Sequence, residues 1–375
     1  MLIQETTTDC RFCALVSKQN GEDPIGTANT VDHCLVFELA QPWTPERFKD
    51  DPKLAPLIDL FKQLVMKHGI MVQPILIAPD QAYSQSAETR VIYYRRPQTQ
   101  FSQYEKQEFI VPEAEFPPLT IALLKSLMKQ PNELSRFQCY RQETSHIREM
   151  LVCTHGNVDA ACARLGYPIY KTLRNDYGAQ PNSNLRVWRC SHFGGHKFAP
   201  TLIDLPRGHY WGHLTPELLN ILVCQQGEVT ELRSHYRGWT GLSKFEQIVE
   251  REIWMQEGYH WLSYDKSGQT LRKGLKGVKR FFYPILRCIP LKRVQFFLEQ
   301  WTKDATWAEV QIQFASSDHS TVGSYFARVD TSGTVITAEN SPKAGDPIQL
   351  TSVAQYRVSR LAKGLGKNAF QSQNC

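Results

Sequence analysis

The chain lacks a long apolar run. Its most hydrophobic stretch, "PLIDLFKQLVMKHGIMVQPILIA", is broken by Asp59, Lys62, Lys67 and His68, so no segment approaches the roughly 18 apolar residues of a membrane span. Its opening, "MLIQETTTDCRF", has no basic region followed by an apolar core, and so does not read as a secretory signal. Low-complexity segments are absent. Cysteine is too sparse for a disulfide scaffold, with 10 in 375 residues; in a reducing compartment, spaced cysteines point to metal or redox chemistry. These absences set the expectation of a cytoplasmic protein with no membrane span. With 42% hydrophobic and 21% charged residues the chain can bury real cores. Its length suits about two or three domains.

Positive charge is unevenly placed. The net charge is +6, yet residues 266–293, "KSGQTLRKGLKGVKRFFYPILRCIPLKR", hold nine Lys or Arg and no acid. Such a stretch is ordinarily a solvated face, and can meet an acidic protein, nucleic acid or anionic lipid. An acidic redox partner docking on it is the expectation here, and nucleic acid is not expected.

Element order suggests two related α/β units. Residues 33–40 read as a strand, 55–69 as a helix ending in Gly69, 71–80 and 89–97 as strands, and 116–129 as a Pro-led helix. Residues 148–226 repeat that order, from "REMLVC" through "NVDAACARLGYPIYKTLRN", "NLRVWRCS", "PTLIDL" and "YWGHL" to "TPELLNILVCQQG", with Thr215 as N-cap and Pro216 at the first helical position. Beyond Gly227 the pattern becomes an amphipathic helix, the basic stretch, and a small β-meander within 307–340. The expected division is 1–145, 146–228 and 229–375.

The second unit carries the chemistry. "CTHGNVDAAC" separates Cys153 from Cys162 by eight residues, and "HFGGH" separates His192 from His196 by three. Loops that leave adjacent strands at one end of a sheet can converge, which would bring two pairs of soft ligands together. Two glycines inside a helix would cost roughly 2 kcal/mol relative to alanine, so Gly194 and Gly195 predict a loop. A zinc protease needs H-E-x-x-H on a helix; the glutamate is missing, and that reading falls. A tetrahedral Cys2His2 zinc site is chemically sound, although its usual Cys–Cys spacing is shorter. An iron–sulfur cluster tolerates longer loops, and two histidines replace two cysteines on one iron in Rieske centres. A literal Rieske pairing of C-x-H with C-x-x-H fails, because Cys153-Thr154-His155 and Cys190-Ser191-His192 are both C-x-H.

"CTHGNVDAACARLG" followed by "WRCSHFGGHKFAPTLIDLPRGHYWGHLTPE" resembles the sucrase/ferredoxin-like family, a branch of the thioredoxin-like [2Fe–2S] ferredoxins. The likeness extends more weakly to "CRFCALVSKQNGEDPIGTANTVDHCLVFELAQPW". It implies an α/β fold of two consecutive thioredoxin-like modules, the second ferredoxin-type, with a C-terminal α+β extension. It implies a [2Fe–2S] cluster with Cys153 and Cys162 on one iron and His192 and His196 on the other, leaving Cys190 and His155 as bystanders or as supports behind the ligands. Two neutral imidazoles in place of two thiolates remove negative charge, so reduction becomes easier; a proton on the free ring nitrogen would couple the potential to pH. The protein would then be an electron carrier or a redox-responsive protein rather than an enzyme with a substrate pocket.

Other residues read more plainly. Cys10 and Cys13 form a C-x-x-C before the first strand, where no chemistry is expected; the rivals to the cluster reading are a zinc-stabilised interaction module without redox activity and a thiol oxidoreductase using Cys10 and Cys13, or Cys153. Cys34, Cys139, Cys224 and Cys288 lie in apolar surroundings and should be packed. His209, His213, Trp188 and Trp211 should be structural, and Lys197 and Arg207 surface cations able to offset cluster charge. No paired acidic motif of a glycoside hydrolase stands out.

Overall fold

The structure is a computed structural model that describes residues 12–52, 54–180, 183–286, 288–289, 291–342 and 346–364, apart from the side chains of 47–49, 292 and 296. Cys10 lies outside the described residues.

Helix α1 (Cys13–Gln19) precedes strand β1 (His33–Glu38), helices α2 (Pro45–Asp50) and α3 (Ala55–Gln63), and strands β2 (Val72–Ile77), β3 (Glu88–Arg95) and β4 (Glu105–Pro112). Helix α4 (Phe116–Leu127) and the short strand β5 (Arg141–Gln142) complete this half. The second half contains β6 (Arg148–Cys153), α5 (Ala160–Leu173), β7 (Leu185–Cys190), β8 (Leu202–Leu205), β9 (His209–Trp211), α6 (Leu219–Cys224) and β10 (Tyr236–Trp239). The expected elements are present, and β4, "EKQEFIVP", is an additional one. Its charges obscure the pattern: Glu108 points inward and is buried among Arg90, Lys106 and Arg186.

All ten strands form one mixed sheet in the order β10-β9-β8-β6-β7-β2-β1-β3-β4-β5. The mixed α/β class is as expected. In each half a parallel pair joined through a helix, β1–β2 or β6–β7, is flanked by antiparallel strands. The halves meet antiparallel at β2 and β7, where Ile77 faces Cys190. Orders β2-β1-β3-β4 and β7-β6-β8-β9 are therefore the same unit placed edge to edge. The short registered seam is reinforced by Ser191, whose amide donates to the Leu76 carbonyl and whose Oγ accepts from the Leu76 amide at 2.9 Å. Buried ion pairs also cross it: Arg186 reaches Glu108 at 2.9 Å and Lys106 reaches Glu149 at 2.8 Å. Buried charges persist only when paired in this way.

Helix α7 (Lys244–Glu257) starts in a capping box of Ser243 and Glu246. It packs between the large sheet and a four-stranded antiparallel meander, β11 (Asp265–Lys273), β12 (Trp307–Ala315), β13 (Val322–Ala338) and β14 (Leu350–Gly364). Helices α8 (Lys279–Leu286) and α9 (Lys292–Trp301) are inserted between β11 and β12. One apolar core runs from the large sheet through α7 into the meander, and a second fills the space between the first half of the sheet and α3 and α4. Among the described residues no helix is long and apolar enough to cross a membrane.

Three cysteine expectations need correction. Cys34 is buried, but Cys139, Cys224 and Cys288 are exposed. Cys139 lies on a short 3-10 turn that buries only Phe137, Cys224 is the last residue of α6, and Cys288 follows α8, which buries no residue.

Candidate functional site

Strands β6 and β7 are parallel neighbours in which Cys153 pairs with Cys190, so the loops leaving both strands emerge together. The first loop runs through His155 to Asp159, which caps α5 by accepting from the Ala161 amide at 2.8 Å. That start places Cys162 in the first turn of α5, facing back toward Cys153. The second loop carries His192 and His196. Gly194 and Gly195 have φ of 97° and 79°, so this segment is a loop as predicted, and His196 opens a short 3-10 turn.

Cys153, Cys162 and His192 converge. The His192 Nδ1 lies 4.0 Å from the Cys153 Sγ and 3.9 Å from the Cys162 Sγ, with both thiols buried. The thiols are linked: the Cys162 S–H donates to Cys153, which lowers the Cys153 pKa against the opposing effect of burial, helped by His192. The same bond and burial push Cys162 up. One thiolate is thus favoured before any ion arrives, and a cation would release the second proton.

The His196 ring lies beside that of His192, centroids 5.4 Å apart and planes tilted by 46°, but its Nδ1 points elsewhere, 3.3 Å from Asp159 Oδ2 and 3.4 Å from the Cys13 Sγ. These two partners raise its pKa to about 9. Burial would push Asp159 up; hydrogen bonds from His196, Ser341 and the Ala161 amide outweigh it, and the carboxyl titrates below its ordinary range. With Nδ1–H held by Asp159, the His196 Nε2 is left for a ligand role, the carboxylate–histidine arrangement common behind metal sites. The four predicted residues therefore sit as a triad with the fourth ring adjacent, not as one closed set.

The flanking residues came from parts of the chain where no motif pointed to the site. Cys13, expected to be inert, is fully buried at the first residue of α1. Ser341, beyond the far end of β13, donates from Oγ to Asp159 at 2.7 Å and from its amide at 2.8 Å, and accepts from the Cys13 amide. The C-terminal meander thereby reaches the site. His155 holds the loop behind His192. Its Nδ1 accepts from the His192 amide at 3.2 Å and its Nε2 donates to the Trp43 carbonyl at 2.6 Å, which fixes the loop from both sides. Cys190 is buried in the core, where desolvation raises its thiol. His209, His213, Trp188 and Trp211 are buried, in line with a structural role.

Arg237, on β10, was missed altogether. It is 1% exposed, donates to the Gly194 carbonyl at 2.9 Å and to Thr27 O and Oγ1 at 2.8 and 3.0 Å, and lies over the rings of Phe198 and Tyr210. Among the described residues no carboxylate lies within salt-bridge reach of it. Burial lowers its pKa to about 10, opposed by Tyr210, Cys153 and Cys162. Lys197 and Arg207, the cations named from sequence, are instead engaged by Glu22 at 2.5 Å and Asp204 at 4.0 Å. A buried guanidinium without a carboxylate is costly unless other negative charge is near. The Cys153 thiolate supplies it, and a cation that released the Cys162 proton would add to it, so the donor set and its surroundings fit an anionic metal–sulfur group. Beside His192, an apolar cleft of about 280 Å³, open to solvent and walled by Phe37, Leu57 and Phe61, reaches Ser191 and His155.

The sucrase/ferredoxin-like family model matches residues 24–238. Among curated proteins none matches. A solved thioredoxin-like [2Fe–2S] ferredoxin from Aquifex aeolicus is similar at 15% identity and a TM-score of 0.21, over 26% of this chain and 97% of that one. The family match runs from just before β1 into β10, more than half of the chain, and takes in both sheet halves, all four predicted ligands and Arg237: the chain belongs to the sucrase/ferredoxin-like family.

Proposed function

We propose that this protein is a single-electron carrier or redox-responsive protein holding a [2Fe–2S] cluster on Cys153, Cys162, His192 and His196. The reading treats each half of the large sheet as a thioredoxin-like module, the second ferredoxin-type, and 1–145, 146–228 and 229–375 as the divisions of the chain. One observation supports it: two buried cysteines and His192 converge, with the His196 ring adjacent, near a buried arginine that has no carboxylate partner among the described residues. Membership of the sucrase/ferredoxin-like family agrees with it. When bound, the cluster supplies a one-electron redox couple.

The residues of this chain have separable tasks. Cys153 and Cys162 give up their protons to become thiolate ligands. His192 and His196 contribute neutral imidazoles, which leave the site less negative than four thiolates would. Asp159 holds the His196 Nδ1–H and so selects Nε2 as the ligand atom. His155 pins the His192 backbone. Arg237 stabilises the added negative charge on reduction, and the apolar cleft leaves one side of His192 accessible.

A zinc-stabilised interaction module is the second reading, and the triad's edges favour it. Ligand bonds of about 2.0–2.3 Å around one tetrahedral ion put neighbouring ligand atoms roughly 3.5 Å apart, close to the 3.9 and 4.0 Å seen here. Anaerobic purification with metal and sulfide analysis separates the two. A brown protein with about two irons and two sulfides per chain, losing its colour in Cys153→Ser and retaining it with a lowered potential in His192→Cys, supports the cluster. A colourless protein holding one zinc overturns it.

A further inference from the structure

Val278, Phe281, Phe282 and Ile285 stand at positions i, i+3, i+4 and i+7. This spacing normally marks the face that a helix buries in its protein. Here the stripe points outward. The four side chains are 64%, 74%, 52% and 67% exposed, and α8 buries no residue at all. Its neighbour α9 adds Phe297 and, just before its first turn, Leu291, 56% and 60% exposed, while anchoring to the protein through Leu298. The two helices contact each other and project as a pair from between β11 and β12. Scattered exposed apolar residues are ordinary, but a contiguous stripe of this kind marks an interaction surface.

The charge around it selects the partner. Of the nine cations in 266–293, Lys266 is buried and bonded to the Trp261 carbonyl, Lys273 bonds Thr302, and Lys279 pairs with Asp304. Arg272 pairs with Glu309 on the meander, and Lys276, Arg280 and Arg293 remain exposed along the stretch that carries the apolar stripe. A second copy of this chain would bring two such cationic faces together, which like-charge repulsion opposes. A short helix with exposed Phe and Ile on one side and Lys or Arg beside them is built to lie in a lipid interface. Its rings enter the acyl boundary and its cations sit at the headgroups.

We propose that the α8–α9 pair seats the protein on the surface of an anionic lipid bilayer. The apolar stripe inserts to the headgroup–acyl boundary and the flanking cations engage acidic headgroups. The inference does not depend on which metal occupies the site described above.

Co-sedimentation of the full chain with phosphatidylcholine vesicles, alone or with phosphatidylserine, tests it. Partitioning should rise about tenfold or more with phosphatidylserine, since each cation near such a surface contributes on the order of 1 kcal/mol. It should fall with added salt, and it should be lost in a Phe281→Ser/Phe282→Ser/Ile285→Ser variant, whose substitutions touch no core. A second variant, Lys276→Gln/Arg280→Gln, should lose the phosphatidylserine preference. Absence of vesicle binding, or equal binding by the triple variant, overturns the proposal. So does a soluble dimer that disappears in the triple variant, or retention on polyglutamate without retention on vesicles.

Discussion

Gly194 and Gly195 are adjacent, share positive φ and sit between two candidate ligands, yet alanine should cost very different amounts at each. A Cβ on Gly194 meets nothing nearer than Asn29 Nδ2 at 3.7 Å, so Gly194→Ala adds only the left-handed backbone cost, about 1–2 kcal/mol. A Cβ on Gly195 falls on the Arg237 guanidinium, 2.7 Å from Nη1 and closer still to Nη2 and Cζ. That group is held by three hydrogen bonds and cannot retreat. Overpacking adds about 1–3 kcal/mol to the same backbone cost, so Gly195→Ala should destabilise by roughly 2–5 kcal/mol, shift His196 and weaken metal retention. Urea unfolding of the metal-free protein measures both variants. In an Arg237→Ala background the clash disappears, and the cost of Gly195→Ala should drop to that of Gly194→Ala, a coupling of about 1–3 kcal/mol. Equal costs in the wild-type background, or an undiminished cost beside Arg237→Ala, would refute the claim that the glycine pair exists to seat this loop on Arg237.

Two further outcomes follow from buried charge. Arg237→Gln should lower the midpoint potential of the metal-loaded protein by tens of millivolts, the order expected for removing one buried unit charge within about 10 Å at an effective dielectric near 20. Arg237→Lys should retain most of the wild-type value, and redox titration followed by visible absorption distinguishes the variants. The second concerns acid stability. Burial holds His209 and His213 neutral, lowering each pKa from 6.5 to about 3. The unfolded chain therefore takes up protons that the folded chain refuses. The stability these residues contribute is complete above about pH 6.5 and is lost as pH falls toward 3, with a slope approaching 2–3 kcal/mol per pH unit for the two together. His196, raised to about 9, acts in the opposite sense at higher pH: its contribution is present below about pH 6.5 and lost as pH rises through 9. Urea midpoints between pH 6.5 and 5 should show His209→Phe taking up about one proton fewer than wild type; an unchanged slope would contradict the assignment.

Local pattern carried much of this protein. Alternation and Pro or Gly punctuation mark most strands and helices of the large sheet, because burial on one face imposes a period. The spacing of Cys153 and Cys162, and of His192 and His196, named the candidate ligands, since soft side chains around glycines have few other uses. The glycine pair identified a loop on backbone energetics alone. Strand β4 escaped because its inward Glu108 is neutralised by Arg90, Lys106 and Arg186, partners distant in sequence. The exposed Cys139, Cys224 and Cys288 escaped because composition nearby does not reveal which side of a short turn faces the core.

Tertiary structure alone decided what surrounds the candidate ligands. Cys13 reaches His196 across 183 residues, Ser341 reaches Asp159 across 182, and Arg237 reaches the Gly194 carbonyl across 43. Each contact depends on how sheet edges, α1 and the meander come together, and none leaves a periodicity in its own segment. The candidate ligands could be named along the chain because their chemistry is intrinsic to the side chains. Their protonation, the tautomer of His196 and the charge beneath them could not, because electrostatics is set by distances through space and by the exclusion of water, both properties of the folded chain.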